Sequence, residues 1–159
     1  MIDEIIKMIA ITFVPTLELR ASIPYGIFAA NISWLIVFAV CVVANIIVGI
    51  LIYLLMDLII KIITKIPVIT KVWDNYVAKT QQKIQKGVDK YGKWALAIFI
   101  GIPLPGSGVY TGALAAYLIG LRFKKFMVAN VIGVIIAGIA VTVICLTGVS
   151  VSNIFIKQM

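Results

Sequence analysis

The sequence predicts an all-α integral membrane protein arranged as an inverted repeat: each half is a re-entrant helical hairpin followed by a transmembrane helix, and a basic amphipathic linker helix joins the halves. Three observations predict this. Of the 159 residues, 63% are hydrophobic and 13% charged, and the mean hydropathy is +1.16, far from the balance of a water-soluble domain. Two runs, Ser33 to Met56 and Phe126 to Val149, carry no charge; about 24 helical residues reach roughly 36 Å, enough to cross a bilayer's hydrocarbon. Two further apolar segments are interrupted by proline and glycine.

The interrupted segments set the architecture. Met8 to Leu17 and Trp94 to Ile102 each cover only about 15 Å as helix, half the hydrocarbon thickness. The first then meets a break from Pro15 to Gly26 and the second a break from Gly101 to Gly112, and a second short apolar arm follows each. Proline removes a backbone donor and glycine loosens the chain, so neither segment is expected to run straight through its centre. A kinked span and a re-entrant hairpin both fit. Lysine and arginine gather on one side of a membrane, and only hairpins put the linker lysines and the cluster Arg122, Lys124 and Lys125 on the same face. The prediction is therefore hairpins, with both termini outside and the linker in the cytoplasm. The start at Asp3 and Glu4 lacks the positive flank of a secretory signal and is read as part of the fold.

The chain divides as one membrane domain, 1–159, with a first repeat over 1–60, a linker over 61–93 and a second repeat over 94–159. Superposing Ser22 on Ser107 also superposes Tyr25 on Tyr110 and Val43-Ala44-Asn45 on Val128-Ala129-Asn130. With one span per half, the repeats must be upside down relative to each other. In the linker, Val72, Trp73, Tyr76, Ile84, Val88 and Tyr91 recur at helical spacing, while Lys71, Lys79, Lys83, Lys86, Lys90 and Lys93 fall largely on another face, the pattern of an interfacial helix.

The net charge of +8 points to anionic membrane lipid as a partner, not nucleic acid. The chain has no histidine, and Cys41 and Cys145 lie singly in apolar runs. No metal, cofactor or disulfide is predicted. The serines have no base beside them, so an enzyme is not expected.

Glu18 and Arg20 are the charges at a hairpin tip, and each costs about 2.5–3.5 kcal/mol near a bilayer centre on insertion scales. Two explanations compete. The pair is a structural clasp that neutralises itself or bonds freed backbone groups, or Glu18 takes up and releases protons while Arg20 receives an anionic group such as a phosphate. In the second hairpin, Pro103 and Pro105 stop the first arm, and Gly106, Ser107 and Gly108 turn the chain, with Ser107 capping the next helix. Free N–H groups at that helix start attract anions. The candidate pocket contains Glu18, Arg20, Ser22, Ser107 and Thr111 and is shaped by Pro24, Pro103, Pro105, Gly106 and Gly108; alternatively these prolines and glycines only form tight turns. Gly108, Gly112, Ala116 and Gly120, like Ala129, Gly133 and Ala137, make smooth stripes expected to serve packing or dimer contact. Asn45 and Asn130 are expected to bond across helices as structural residues.

The stretch Glu18-Leu19-Arg20-Ala21-Ser22-Ile23-Pro24, followed by Pro103-Leu104-Pro105-Gly106-Ser107-Gly108, resembles the small multidrug export protein family over nearly the whole chain. That family is similar in plan to the DedA and VTT superfamily, whose members have two facing re-entrant hairpins and are implicated in moving polyprenyl-phosphate carriers or other lipids. The resemblance implies that the acidic and basic pocket residues are Glu18 and Arg20. The chain departs from the DedA pattern in the second hairpin, where Pro105-Gly106-Ser107-Gly108 stands in place of an arginine-bearing motif. The expected function is a cell-membrane transporter or flippase for an amphiphilic substrate, a phosphate-headed lipid first, coupled to protons and working as a homodimer. The alternatives are efflux of small cationic or amphipathic compounds and a non-transporting membrane scaffold.

Overall fold

The computed structural model describes residues 2–15, 17–63, 78, 92–102 and 107–156. Almost all of the predicted linker helix, and Pro103, Pro105 and Gly106, lie outside the described residues. Within them every regular element is a helix: α1 (Ile2–Thr12), α2 (Glu18–Pro24) continued by a π-helical turn (Tyr25–Ala29), α3 (Trp34–Ile63), α4 (Lys93–Gly101), α5 (Val109–Leu118) and α6 (Phe123–Ile156). The same order, two short helices and then a long one, occurs twice.

α3 and α6 contain the two apolar stretches, Trp34–Ile62 and Phe123–Gly148, and in an 18-residue apolar portion of each only 39% is buried within the chain. The remaining face stays apolar, with Leu35, Val43, Ile139 and Ile144 all exposed. A helix that is hydrophobic on every side and covered on fewer than half of them has hydrocarbon as its natural solvent. This is a membrane protein.

α1 folds back on α2. Thr12 Oγ1 lies 2.8 Å from Ser22 Oγ, Met8 packs against Gly26, and Tyr25 donates 2.6 Å to Glu4, so residues ever further from the turn pair in antiparallel order. The Glu4 carboxyl sits below its ordinary pKa because the Lys7 ammonium, and then the Tyr25 hydroxyl, bond to it. The break is shorter than the sequence suggests. α1 ends at Thr12, the Val14 carbonyl accepts from Leu17 and Glu18, and helix resumes at Glu18. Pro24 does not end that helix. Its missing N–H and its ring loosen the ladder, and the next turn widens to the i→i−5 pattern in which Ala30 N–H donates to Tyr25.

The second hairpin runs α4, turn, α5, and closes with a Schellman turn: Leu121 N–H donates to Ala116, Gly120 N–H to Tyr117, and Gly120 takes φ 66°. Each hairpin's second arm reaches the other half. α2 packs on α6 as well as on its own α3, and α5 packs mainly on α3 while α4 lies along α6. Phe126, Met8, Leu19, Ile23, Leu96 and Ile100 fill the interior. The small-residue stripes serve this internal packing: Gly112 abuts Ile100, and Gly133 abuts Ala97 and Ile100, with Ala116, Ala129 and Ala137 buried.

Candidate functional site

The two turns bring the hairpin tips together. Glu18 opens α2 with φ 49°, a left-handed conformation that costs a non-glycine residue on the order of 1 kcal/mol and persists where surrounding contacts over-determine it. Its side chain crosses to the second hairpin and is 5% exposed. There Val109 N–H donates to Glu18 Oε2 at 3.4 Å, the Tyr110 N–H faces the same carboxylate, and Asn45 of α3 brings its side-chain amide to it. These N–H groups belong to the first turn of α5, and the carboxylate also meets the positive end of that helix's dipole.

Arg20 reaches the same turn from the other side. Its Nη2 donates to the Ser107 carbonyl at 2.5 Å, to Ser107 Oγ at 3.1 Å and to the Ile102 carbonyl at 3.5 Å. An acid takes donors and a base takes acceptors of the backbone that flanks the second break, pairing groups at Ile102, Ser107 and Val109. A third tie joins the tips, since the Tyr110 hydroxyl donates 2.5 Å to the Phe13 carbonyl.

Glu18, Arg20, Ser107 and Gly108 thus meet at one place. Ser107 does not cap α5: the cap residue is Gly108, with φ 132°, and it makes no side-chain cap bond, while Ser107 Oγ closes its own turn on the Ile102 carbonyl at 2.5 Å. The capping anion comes instead from Glu18 in the other hairpin. Ser22 is fully buried within the first hairpin, donating 3.3 Å to the Glu18 carbonyl. Thr111 donates 3.3 Å to the Gly108 carbonyl inside α5, and Pro24 lies further along α2. Sequence reasoning missed Asn45 and Tyr110 as members of the cluster. The available signal was that Asn45 is the one amide in the first uncharged run. No group of three His, Cys, Asp or Glu that could hold a metal occurs among the described residues.

Beside the cluster, Ile5, Ile9, Phe13, Val40, Val43 and Ile47 line an open apolar groove of about 520 Å³ between α1 and α3. Phe13, the groove's end residue on α1's side, is the residue that accepts from Tyr110.

Residues 18–140, from the clasping glutamate to about the middle of α6, match the family model described as "Putative small multi-drug export protein". The chain belongs to this family. The matched stretch contains both charged tip residues and the whole second hairpin, and the family's name fits a membrane exporter. No curated protein and no solved structure matches the chain.

Proposed function

We propose that the protein exports an amphiphilic compound across the membrane by opening and closing the contact between its two helical hairpins. The observation that carries this reading is the buried Glu18 carboxylate, held in a strained backbone conformation at the α5 helix start of the opposite hairpin. Such a group has two states: charged, it fastens the hairpins; protonated, it accepts those N–H bonds less strongly and the tips part. In this reading each hairpin enters and leaves by the same leaflet, the halves are related by an inverted repeat, the linker is cytoplasmic, and two copies form the working unit. The substrate's apolar body lies in the groove beside Phe13 and its polar head at the tips.

A small cationic or amphipathic compound agrees with the family's name and with the carboxylate. A phosphate-headed lipid of the DedA kind is the second reading, favoured by Arg20, which is only half-buried. Purified protein in lipid vesicles decides between them when a cationic dye and a labelled polyprenyl phosphate are offered separately. Glu18→Gln and Arg20→Ala are expected to slow export of the accepted substrate at least about tenfold, the equivalent of one charged hydrogen bond at about 1.4 kcal/mol. Wild-type rates in both variants, with the protein folded, would refute the proposal.

A further inference from the structure

Among the described residues, the buried polar atoms without a hydrogen-bond partner include Asn45 Oδ1 and Asn130 Oδ1, on residues 1% and 0% exposed. They come from opposite long helices. Asn130 of α6 donates Nδ2 to the Ile46 carbonyl of α3 at 3.1 Å, which fixes its amide and leaves Oδ1 as the bare atom. That amide fills the space a side chain at position 49 would take: a Cβ on Gly49 would stand 2.5 Å from Asn130 Oδ1 and 2.6 Å from Nδ2. Gly49 is one helical turn beyond Asn45 on the same face of α3, so the Asn130 amide meets α3 one turn away from Asn45. Asn45 in turn meets the Glu18 carboxylate. Polar side chains of α6, α3 and α2 thus follow one another through the interior, Asn130 against the Gly49 turn, Asn45 one turn away and Glu18 beyond it.

A buried acceptor with no donor is costly in a protein and costlier in hydrocarbon. Packing alone gives no reason for two such acceptors, since leucine has nearly the shape of asparagine and would leave no oxygen bare. Oxygen ligands with one negative charge suit a hard cation of single charge, and sites of this kind sit where membrane helices are interrupted. We propose that Glu18, Asn45 and Asn130 form a binding site for a small monovalent cation, sodium in the first instance, between the two spans. Binding requires only the geometry above. The use of the ion, to drive export as its binding loads the clasp residue, rests on the exporter reading.

The test separates the two. Thermal unfolding of the purified full chain in detergent is followed as sodium chloride rises from about 1 to about 300 mM, with choline chloride holding ionic strength constant. The expected result is a rise in the midpoint of about 3 °C or more, as a ligand that binds only the folded state produces, with a smaller rise in potassium chloride. Asn45→Leu, close in shape, is expected to remove the sodium response while remaining folded, and Gly49→Ala to weaken it by displacing the Asn130 amide. Should Asn45→Leu not fold, sodium-23 relaxation on the wild-type protein tests the site directly, the expected result being line broadening that excess lithium reverses. No sodium response in the wild type, or an equal response to potassium, overturns the site and indicates buried water on the two oxygens. Export that proceeds equally well without sodium, from a protein that binds it, leaves the site standing and removes its coupling role.

Discussion

Gly108→Ala is expected to destabilise the protein by about 3 kcal/mol or more, through two effects that add. The first is conformational. Gly108 takes φ 132° and ψ −171°, a region open essentially only to glycine and costing other residues about 1–3 kcal/mol. The second is the loss of the clasp. A Cβ there would stand 2.5 Å from Glu18 Oε2 and 2.6 Å from Oε1, so the carboxylate must leave the α5 helix start, and a charged hydrogen bond of this kind is worth about 1.5–3 kcal/mol. Gly120→Ala separates the two effects. Gly120 also has positive φ, but a Cβ there meets nothing within 4 Å, so only left-handed strain of about 1–2 kcal/mol is expected. Denaturant unfolding in detergent measures both variants, and a Gly108→Ala protein no less stable than Gly120→Ala would show that the clasp holds nothing.

The second large effect is expected at Gly133. An added Cβ there would come within 2.7 Å of the Ala97 backbone oxygen and 2.7 Å of Ile100 Cβ, neither of which can swing aside. Gly133→Ala must push α4 away from α6, an overpacking that costs about 1–3 kcal/mol and outweighs the helix propensity alanine gains, about 1 kcal/mol. Gly112→Ala is the informative partner. Its Cβ would meet Ile100 Cγ1 at 2.5 Å and Cδ1 at 2.7 Å, the outer part of a side chain that has other rotamers, so a smaller loss is expected. Equal unfolding midpoints for the two variants would mean that the α4–α6 contact adapts more freely than its geometry implies.

The two long spans are legible in the sequence because hydrocarbon imposes a length and a composition that few other environments require. The first turn is legible from Pro15, although Pro24 suggests a longer interruption than exists. A proline can be absorbed when the following turn widens, and the sequence around Tyr25 carries no mark of that. The meeting of Glu18 and Arg20 with the second hairpin follows from the expense of burying charge. The partners of each do not. Which helix start a carboxylate caps depends on how two elements about ninety residues apart in the chain are docked, and no local pattern encodes docking. Asn45 escapes a sequence reading for the same reason: one amide in an apolar run reads as a helix-to-helix hydrogen bond until its neighbours are known.

α2 lies on α3 and α6 alike, and α5 mainly on α3 while α4 lies along α6, so each long helix is gripped by an arm of either half. The consequence is a woven core: neither half can be lifted away without unlacing the seam that the other half depends on.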